Sequence, residues 1–387
     1  MSETTLIAVG DIILDLENHS TAFDHVKEVM QAGDITVASC DQIYSDKGES
    51  PNGFWQIRVG APPHSAAMLD TLVDAGVNVI NFANNHSLDW GYEAAFDCLA
   101  LCKDVGVAAV GIGRNIKAAR QPVIVERNGT TFGFLAYCSI GPAGYEATAE
   151  RPGHAPMRAH THYEQWDPQP GTPPLIHTFA HKEDLREMVD DISRLRKQVD
   201  VVIVGFHWGV HYITELIADY EYEVGHAAID AGADLILGNH PHLPKGIEVY
   251  KGKVIFHAMN DLATHGGWRP PATQPGCDYP DSQVWDWTHY GKLPEERFGN
   301  EHMGVGLSSR SMTEVVRTSM MAKITVENGS VSRVAYIPCY INDALSPEIV
   351  TREQERGQKV FEYWKKISGS QGLNTDFEWD GDEIVVI

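Results

Sequence analysis

Seven residues spread over more than half of the chain carry side chains that bind divalent metal ions: Asp11, Asp41, Asn85, His86, His207, His240 and His242. Carboxylates, a carboxamide oxygen and neutral imidazoles suit zinc, manganese or iron. Two such ions about 4 Å apart can hold the attacking and leaving oxygens of a displacement, and a bound ion lowers the pKa of water to roughly 7. The chemistry implied is hydrolysis by metal-activated water. Taken singly, each residue has a plainer reading. An Asp after a strand is commonly a turn or helix-cap residue, and His207-Trp208-Gly209-Val210-His211 reads as a packed loop. His240-Pro241-His242 places two imidazoles two residues apart, on opposite faces of an extended chain unless the loop bends. It is the set that points to a site.

What unites the set is position. Each member follows a short apolar run by two to five residues. Leu6-Ile7-Ala8-Val9 leads to Asp11, Ile35-Thr36-Val37-Ala38 to Asp41, and Val77 to Ala83 to Asn85 and His86; Val201 to Val204 precedes His207, and Leu235-Ile236-Leu237 precedes His240. Such continuous runs predict strands buried on both faces. Helical patterns separate them, over Pro63 to Ala75, Tyr92 to Asp104, Lys182 to Gln198 and Asp219 to Ala231. In an α/β sheet the carboxyl ends of parallel strands share one edge, where ligands bind. Asn128-Gly129 between Val123-Ile124-Val125 and Phe132 to Tyr137 predicts a hairpin, and Val254-Ile255-Phe256 a further strand. Two segments break the rhythm and read as loops or lids: 142–181, rich in Pro, Gly and His, and 266–312, rich in Trp and Tyr. The end of the chain predicts a helix over Thr351 to Lys366 and a β-like stretch over Glu383 to Ile387.

The 387 residues are 43% hydrophobic and 21% charged, a globular composition. The net charge of −23 repels phosphate backbones, so nucleic acid is not an expected partner. No run approaches about 18 uninterrupted apolar residues, so no membrane span is expected. Met1-Ser2-Glu3-Thr4-Thr5 lacks the basic start of a secretory signal. Six scattered cysteines form no CxxC pair and read as buried free thiols. A cytoplasmic setting is expected.

Ala83-Asn84-Asn85-His86-Ser87-Leu88-Asp89-Trp90-Gly91 resembles the ANNHxxDxG motif of the bacterial capsule synthesis CapA family, also called the poly-γ-glutamate synthesis PgsA type. Gly111 to Asn115 and Ala118 to Pro122 match the segment that follows. His207-Trp208-Gly209 with Tyr212 matches HWGxEY, with His211 in place of Glu. Gly232 to His242 matches GADxxxGxHPH, and Gly246 to Lys253 matches GxExYKG. The resemblance runs from about Leu6 to Pro338. The family is similar to calcineurin-like metallophosphatases, which implies two packed β-sheets flanked by helices, an αββα sandwich. It also implies one domain over 1–342, with the insertions at 142–181 and 266–312, and a C-terminal helix and tail over 343–387 packed on it.

By the same likeness, Asp11, Asp41, Asn85, His207, His240 and His242 are metal ligands for one or two divalent ions (Mn, Zn or Fe). His86, with Asp89 of the same motif, is a proton donor or transition-state stabiliser. Several positions depart from the phosphatase pattern. The usual DxH reads Asp11-Ile12-Ile13, so one ligand is missing. Asp41 stands for a Glu, and the usual SLGNF reads His257-Ala258-Met259-Asn260-Asp261. His257 adds an imidazole expected near the site, orienting a ligand or substrate and counted with the catalytic residues. Arg158, His211 and Asn260 are taken as substrate-binding. Arg158 lies in a stretch shared with part of the family, and its guanidinium suits an anionic group; a surface salt bridge is its other reading. Family members tied to capsules usually carry an N-terminal membrane anchor, which this chain does not show. The expected substrate is a small or short-polymer anion, cleaved at an amide, γ-glutamyl included, or at a phosphoester. The alternatives are an accessory role in polymer synthesis or export without catalysis, and a metal-assisted lyase.

Overall fold

A computed structural model describes residues 3–14, 19–49, 65–169, 172, 174–211, 213, 215–263 and 314–387. The insertion at 266–312 and Cys277 lie outside the described residues. Two sheets face each other. Among the described residues the larger has ten strands and is mixed. At its centre Glu3–Ile12 runs parallel to Ile35–Cys40 and antiparallel to Thr318–Glu327. The parallel half continues through Val79–Asn81 and Ala108–Val110. The antiparallel half continues through Ser330–Ile341, Glu383–Val386 and Phe377–Asp380. The C-terminal residues thus build the sheet itself. In the six-stranded sheet, Thr130–Cys138, Val201–His207, Leu235–Asn239 and Lys253–Phe256 run parallel.

The apolar runs explain the layering. In Leu6-Ile7-Ala8-Val9, Leu6 and Ala8 enter the core between the sheets, while Ile7 and Val9 face the outer helices. Ile203 likewise points to the partner sheet, and Val202 and Val204 point outward. Ala66–Asp74 and Gly91–Asp104 cover the large sheet, burying Met68, Leu72, Cys98 and Cys102. Lys182–Leu195 and Asp219–Asp230 cover the small one through Met188, Ile192, Val224 and Ala228. The result is the αββα sandwich. The helix Glu355–Ser370 adds Trp364, fully buried, to the inter-sheet core. The five described cysteines are buried free thiols. Among the described residues no helix is long and apolar enough to cross a membrane.

Three details differ from the sequence expectation. The stretch 142–181 is more than a loop: Ala159–Glu164 and Leu175–Ala180 pair as an antiparallel hairpin, and Gly153–His154 pairs with Ile112–Gly113. Thr161, Tyr163, Ile176 and Phe179 supply the strand preference that the flanking Pro and Gly concealed. His207 is the last residue of its strand rather than beyond it. Asp11 lies inside the first strand because of a bulge: Val9 pairs with Ala38 and Asp11 with Ser39, leaving Gly10 without a partner.

Gly10 has a further reason to lack a side chain. A Cβ there would stand 1.7 Å from the carbonyl oxygen of Asn260, which also accepts the Asp11 amide at 3.1 Å. Gly10→Ala is therefore expected to cost about 1–3 kcal/mol or more through overpacking. Urea unfolding would show a lower midpoint with an unchanged slope; an unchanged midpoint would disprove the close approach.

Candidate metal centre

The parallel strands of both sheets end at one place. Asp11 Oδ1 accepts from Ser39 Oγ at 2.6 Å, and its Oδ2 accepts from the His240 amide at 2.8 Å, tying the large sheet to the small one. Asp41, first past its strand, is fully buried, and neither carboxylate oxygen receives a hydrogen bond among the described residues. His207 Nε2 and His242 Nε2 each stand 3.5 Å from it, and His86 Nε2 stands 4.0 Å away. Ligand atoms of Asp11, Asp41 and His242 lie within 4.8 Å of one another. Asn85 Oδ1 is 2.6 Å from His207 Nε2, and His240 Nδ1 is 3.2 Å from the same nitrogen. All six expected ligands therefore meet.

The bend that the His240-Pro241-His242 spacing required is present. His240 has φ +102° and His242 φ +50°, a region that residues with a Cβ adopt only under strain or in turns. Both rings thereby reach the cluster instead of opposite faces. His211 joins them, its ring stacked 3.8 Å from that of His240 and 5.4 Å from that of His242.

Burial governs the charges. It raises the Asp11 carboxyl to about 8, with Asp41 and Asp261 adding to the effect, and it raises Asp41 as well. Burial holds His207 and His240 well below the ordinary imidazole value, and with His242 it lowers His211 to about 3. His207 therefore meets Asp41 as a neutral ring, not as an ion-pair partner. Neutral imidazole is the metal-binding form. His86 differs. Burial lowers it, but Asp89 and Asp41 outweigh burial and carry it to about 9. Its Nδ1 lies 2.6 Å from Asp89 Oδ2, and Tyr145 Oη donates to Asp89 Oδ1 at 3.1 Å.

Sequence reasoning missed three supporting residues. Ser39 is a strand residue with no distinguishing neighbour. Asp261 holds His242 Nδ1 at 2.8 Å, which leaves Nε2 facing Asp41; its signal was an acid directly after Asn260 at a strand end. Tyr145 comes from the 142–181 insertion.

Three expected site residues do not join the cluster. His257 is fully buried, but its Nε2 lies 3.2 Å from Glu248 and its ring stacks near Trp208. It belongs to a neighbouring network, because the chain after Phe256 turns the ring toward the helix Asp219–Asp230. Asn260 spends its amide on the carbonyls of Val316 and Thr318, both at 2.7 Å, and its Oδ1 is buried without a hydrogen bond among the described residues. Arg158 is held by both oxygens of Asp184, each at 2.7 Å, so the salt-bridge reading describes it.

The sequence model of a family described as bacterial capsule synthesis protein PGA_cap matches residues 5–265. The PGA biosynthesis protein CapA of Bacillus subtilis (strain 168) is 26% identical over 269 residues, covering 67% of this chain and 63% of its own. A probable polyglutamine synthesis accessory protein of Mycobacterium tuberculosis is 30% identical over 191 residues, 48% of this chain and 44% of its own. The chain thus spans less than two thirds of the length of the curated relatives it matches. The crystal structure of calcineurin-like phosphoesterase YfkN from Bacillus subtilis superposes over 96% of this chain and 99% of its own at 9% identity, with a TM-score of 0.40. That superposition is too loose to transfer any feature.

The His86–Asp89 pair has a pH signature. The folded value of about 9 lies above the ordinary 6.5, so the pair's contribution to stability is full below about 6.5 and is lost as pH rises through about 9. In chelator-treated protein, proton–nitrogen NMR is expected to show His86 titrating near 9, and lower in Asp89→Asn. Asp89→Asn should also lose most stability on the acid side of that window. Identical titrations in the two proteins would break the assignment.

Proposed function

The chain belongs to the family of bacterial capsule synthesis protein PGA_cap, and from that membership we propose a metal-dependent hydrolase acting on a small or short-polymer anionic substrate. The bond cleaved is an amide, γ-glutamyl amides included, or a phosphoester. One observation carries the reading: the Asp41 carboxylate is buried, lacks a hydrogen-bond donor and is faced by imidazole nitrogens. An isolated buried carboxylate is costly, and a cation is the usual compensation. The orphaned oxygens and the all-N/O donor set fit a divalent ion, held by Asp11, Asp41, Asn85, His207, His240 and His242. An ion bound there supplies Lewis acidity, polarising a substrate oxygen and acidifying water.

The remaining roles fall to this chain's own groups. His86 carries a proton whose ring is aimed by Asp89 and backed by Tyr145. Its Nε2, on the Asp41 side, is placed to donate to a leaving oxygen or nitrogen. His211, neutral and partly exposed, stands at the rim and orients the anion. The Bacillus subtilis relative, named for PGA biosynthesis, supports the γ-glutamyl class. A second reading, an accessory role in polymer synthesis without turnover, is favoured by the Mycobacterium tuberculosis relative's name.

Metal analysis and a hydrolysis screen separate the two. Asp41→Asn and His240→Ala are expected to lose bound metal. His86→Asn is expected to keep it and lose about 10²–10⁴-fold in rate. Metal retained with no hydrolysis of either class would leave the accessory reading; no bound metal would sink the hydrolase.

Metal binding should also strengthen as pH rises toward about 8, since the Asp11 proton must leave. Chelation should remove about 2.7 kcal/mol of stability relative to protein holding the ion at about a hundredfold its Kd. Calorimetry across pH and thermal melts with and without chelator read both. Affinity independent of pH would remove Asp11 from the ligand set.

A further inference from the structure

Three residues beyond His242 lies a lysine that neither the motifs nor the metal centre uses. Lys245 is 1% exposed. Its amide donates to Ala258 O at 3.1 Å, anchoring it beside the last parallel strand. Its Nζ donates to two backbone carbonyls, those of Ile213 and, at 2.9 Å, Leu216. Both acceptors belong to the loop 208–218, which joins the His207 strand to the helix Asp219–Asp230 and carries His211.

The same loop is held at two further points. The Gly209 amide donates to Tyr220 Oη at 2.7 Å, and the Ala218 amide to Glu221 Oε1 at 2.7 Å. Gly209 has φ +90°, and a Cβ there would lie 2.9 Å from Glu221 Oε2, so the loop passes directly over that carboxylate. Glu221 is itself 1% exposed and its charge opposes that of Lys245. Burying an ammonium and a carboxylate is costly unless their donors and acceptors are used. Here Lys245 and Glu221 Oε1 spend their hydrogen bonds on one loop's backbone, while Glu221 Oε2 receives none among the described residues and lies 4.0 Å from His257 Nδ1. Lys245 thereby joins the segment that presents His240 and His242 to the loop that presents His211.

We propose that Lys245, backed by Glu221, is a positioning residue that pins the described residues of this loop through Ile213 and Leu216, so that His211 stays stacked over His240. The rim on which an anionic substrate is oriented then depends on a lysine that touches neither substrate nor metal. That last clause rests on the hydrolase reading; the pinning itself does not.

Lys245→Met keeps the length of the stem and removes the donors, and Lys245→Gln restores a shorter donor. Hydrogen exchange of the purified full chain reads the loop. In Lys245→Met the amides of 209–211, 213 and 215–218 should exchange about tenfold faster or more, the loss of one or two hydrogen bonds to a charged group. Amides of Val201–His207 and Leu235–Asn239 should keep their protection, and bound metal should be unchanged. The His211 ring protons should lose the shift caused by stacking on His240, with Lys245→Gln intermediate. With any substrate found, KM should rise more than kcat falls. Unchanged loop exchange, uniform acceleration across loop and strands, or failure of both variants to fold would overturn the proposal. A loosened loop in a protein without hydrolytic activity would leave the pinning intact and remove the hydrolase reading; hydrolysis with an unchanged loop would do the reverse.

Discussion

Asp41 brings a carboxylate into the interior with no hydrogen bond to either oxygen, and Asp11 is buried a few ångströms away. Two adjacent buried carboxylates repel each other and resist ionisation. Much of the surrounding architecture answers that strain. Ser39 and the His240 amide each donate to Asp11. His86 is held charged between Asp41 and Asp89. The other imidazoles are kept neutral by burial and by one another, which leaves them suited to share a cation with the two acids.

The sandwich supplies these groups from two sides. The large sheet delivers Asp11, Asp41, Asn85 and His86; the small sheet delivers His207, His240 and His242. Neither sheet alone supplies all the members of this cluster. The hydrogen bond from the His240 amide to Asp11 links the two halves at the cluster, and Asn260 ties the chain entering the large sheet to the carbonyls of Val316 and Thr318. Strain is spent at the same place: the Gly10 bulge on one sheet, and the positive φ of His240, His242 and Asn260 on the other side. Backbone in these regions persists only when its surroundings hold it there.

A second buried polar network lies beside the first without joining it. Glu248 receives both His257 and His226, while Glu221 and Lys245 brace the loop that bears His211. The two networks share the small sheet and differ in task. One concentrates donors around a pair of acids; the other consumes its donors on backbone and on partner side chains. That difference explains why His257, an imidazole one residue past a strand end, is not part of the cluster around Asp11 and Asp41.

The apolar runs by themselves announced an α/β sheet core and the acids, amides and imidazoles that follow its strands; the two-sheet layering came from the family resemblance. Apolar runs of three to seven residues suit strands buried on both faces, and the carboxyl ends of such strands share an edge. The motif around Asn85 and His86 and the His240-Pro241-His242 triplet were legible for the same reason, since spacing relative to a strand is local. Only the tertiary structure decided which way each side chain points. The bulge at Gly10 turns Asp11 inward. Positive φ values turn both His240 and His242 to one face. Asp184 takes Arg158, the Val316 and Thr318 carbonyls take Asn260, and Glu248 takes His257. Asp261, Ser39, Tyr145 and Lys245 acquire their roles from partners 19 to 56 residues away in sequence. Such pairings depend on register and chain reversal rather than on periodicity, so no spacing rule announces them.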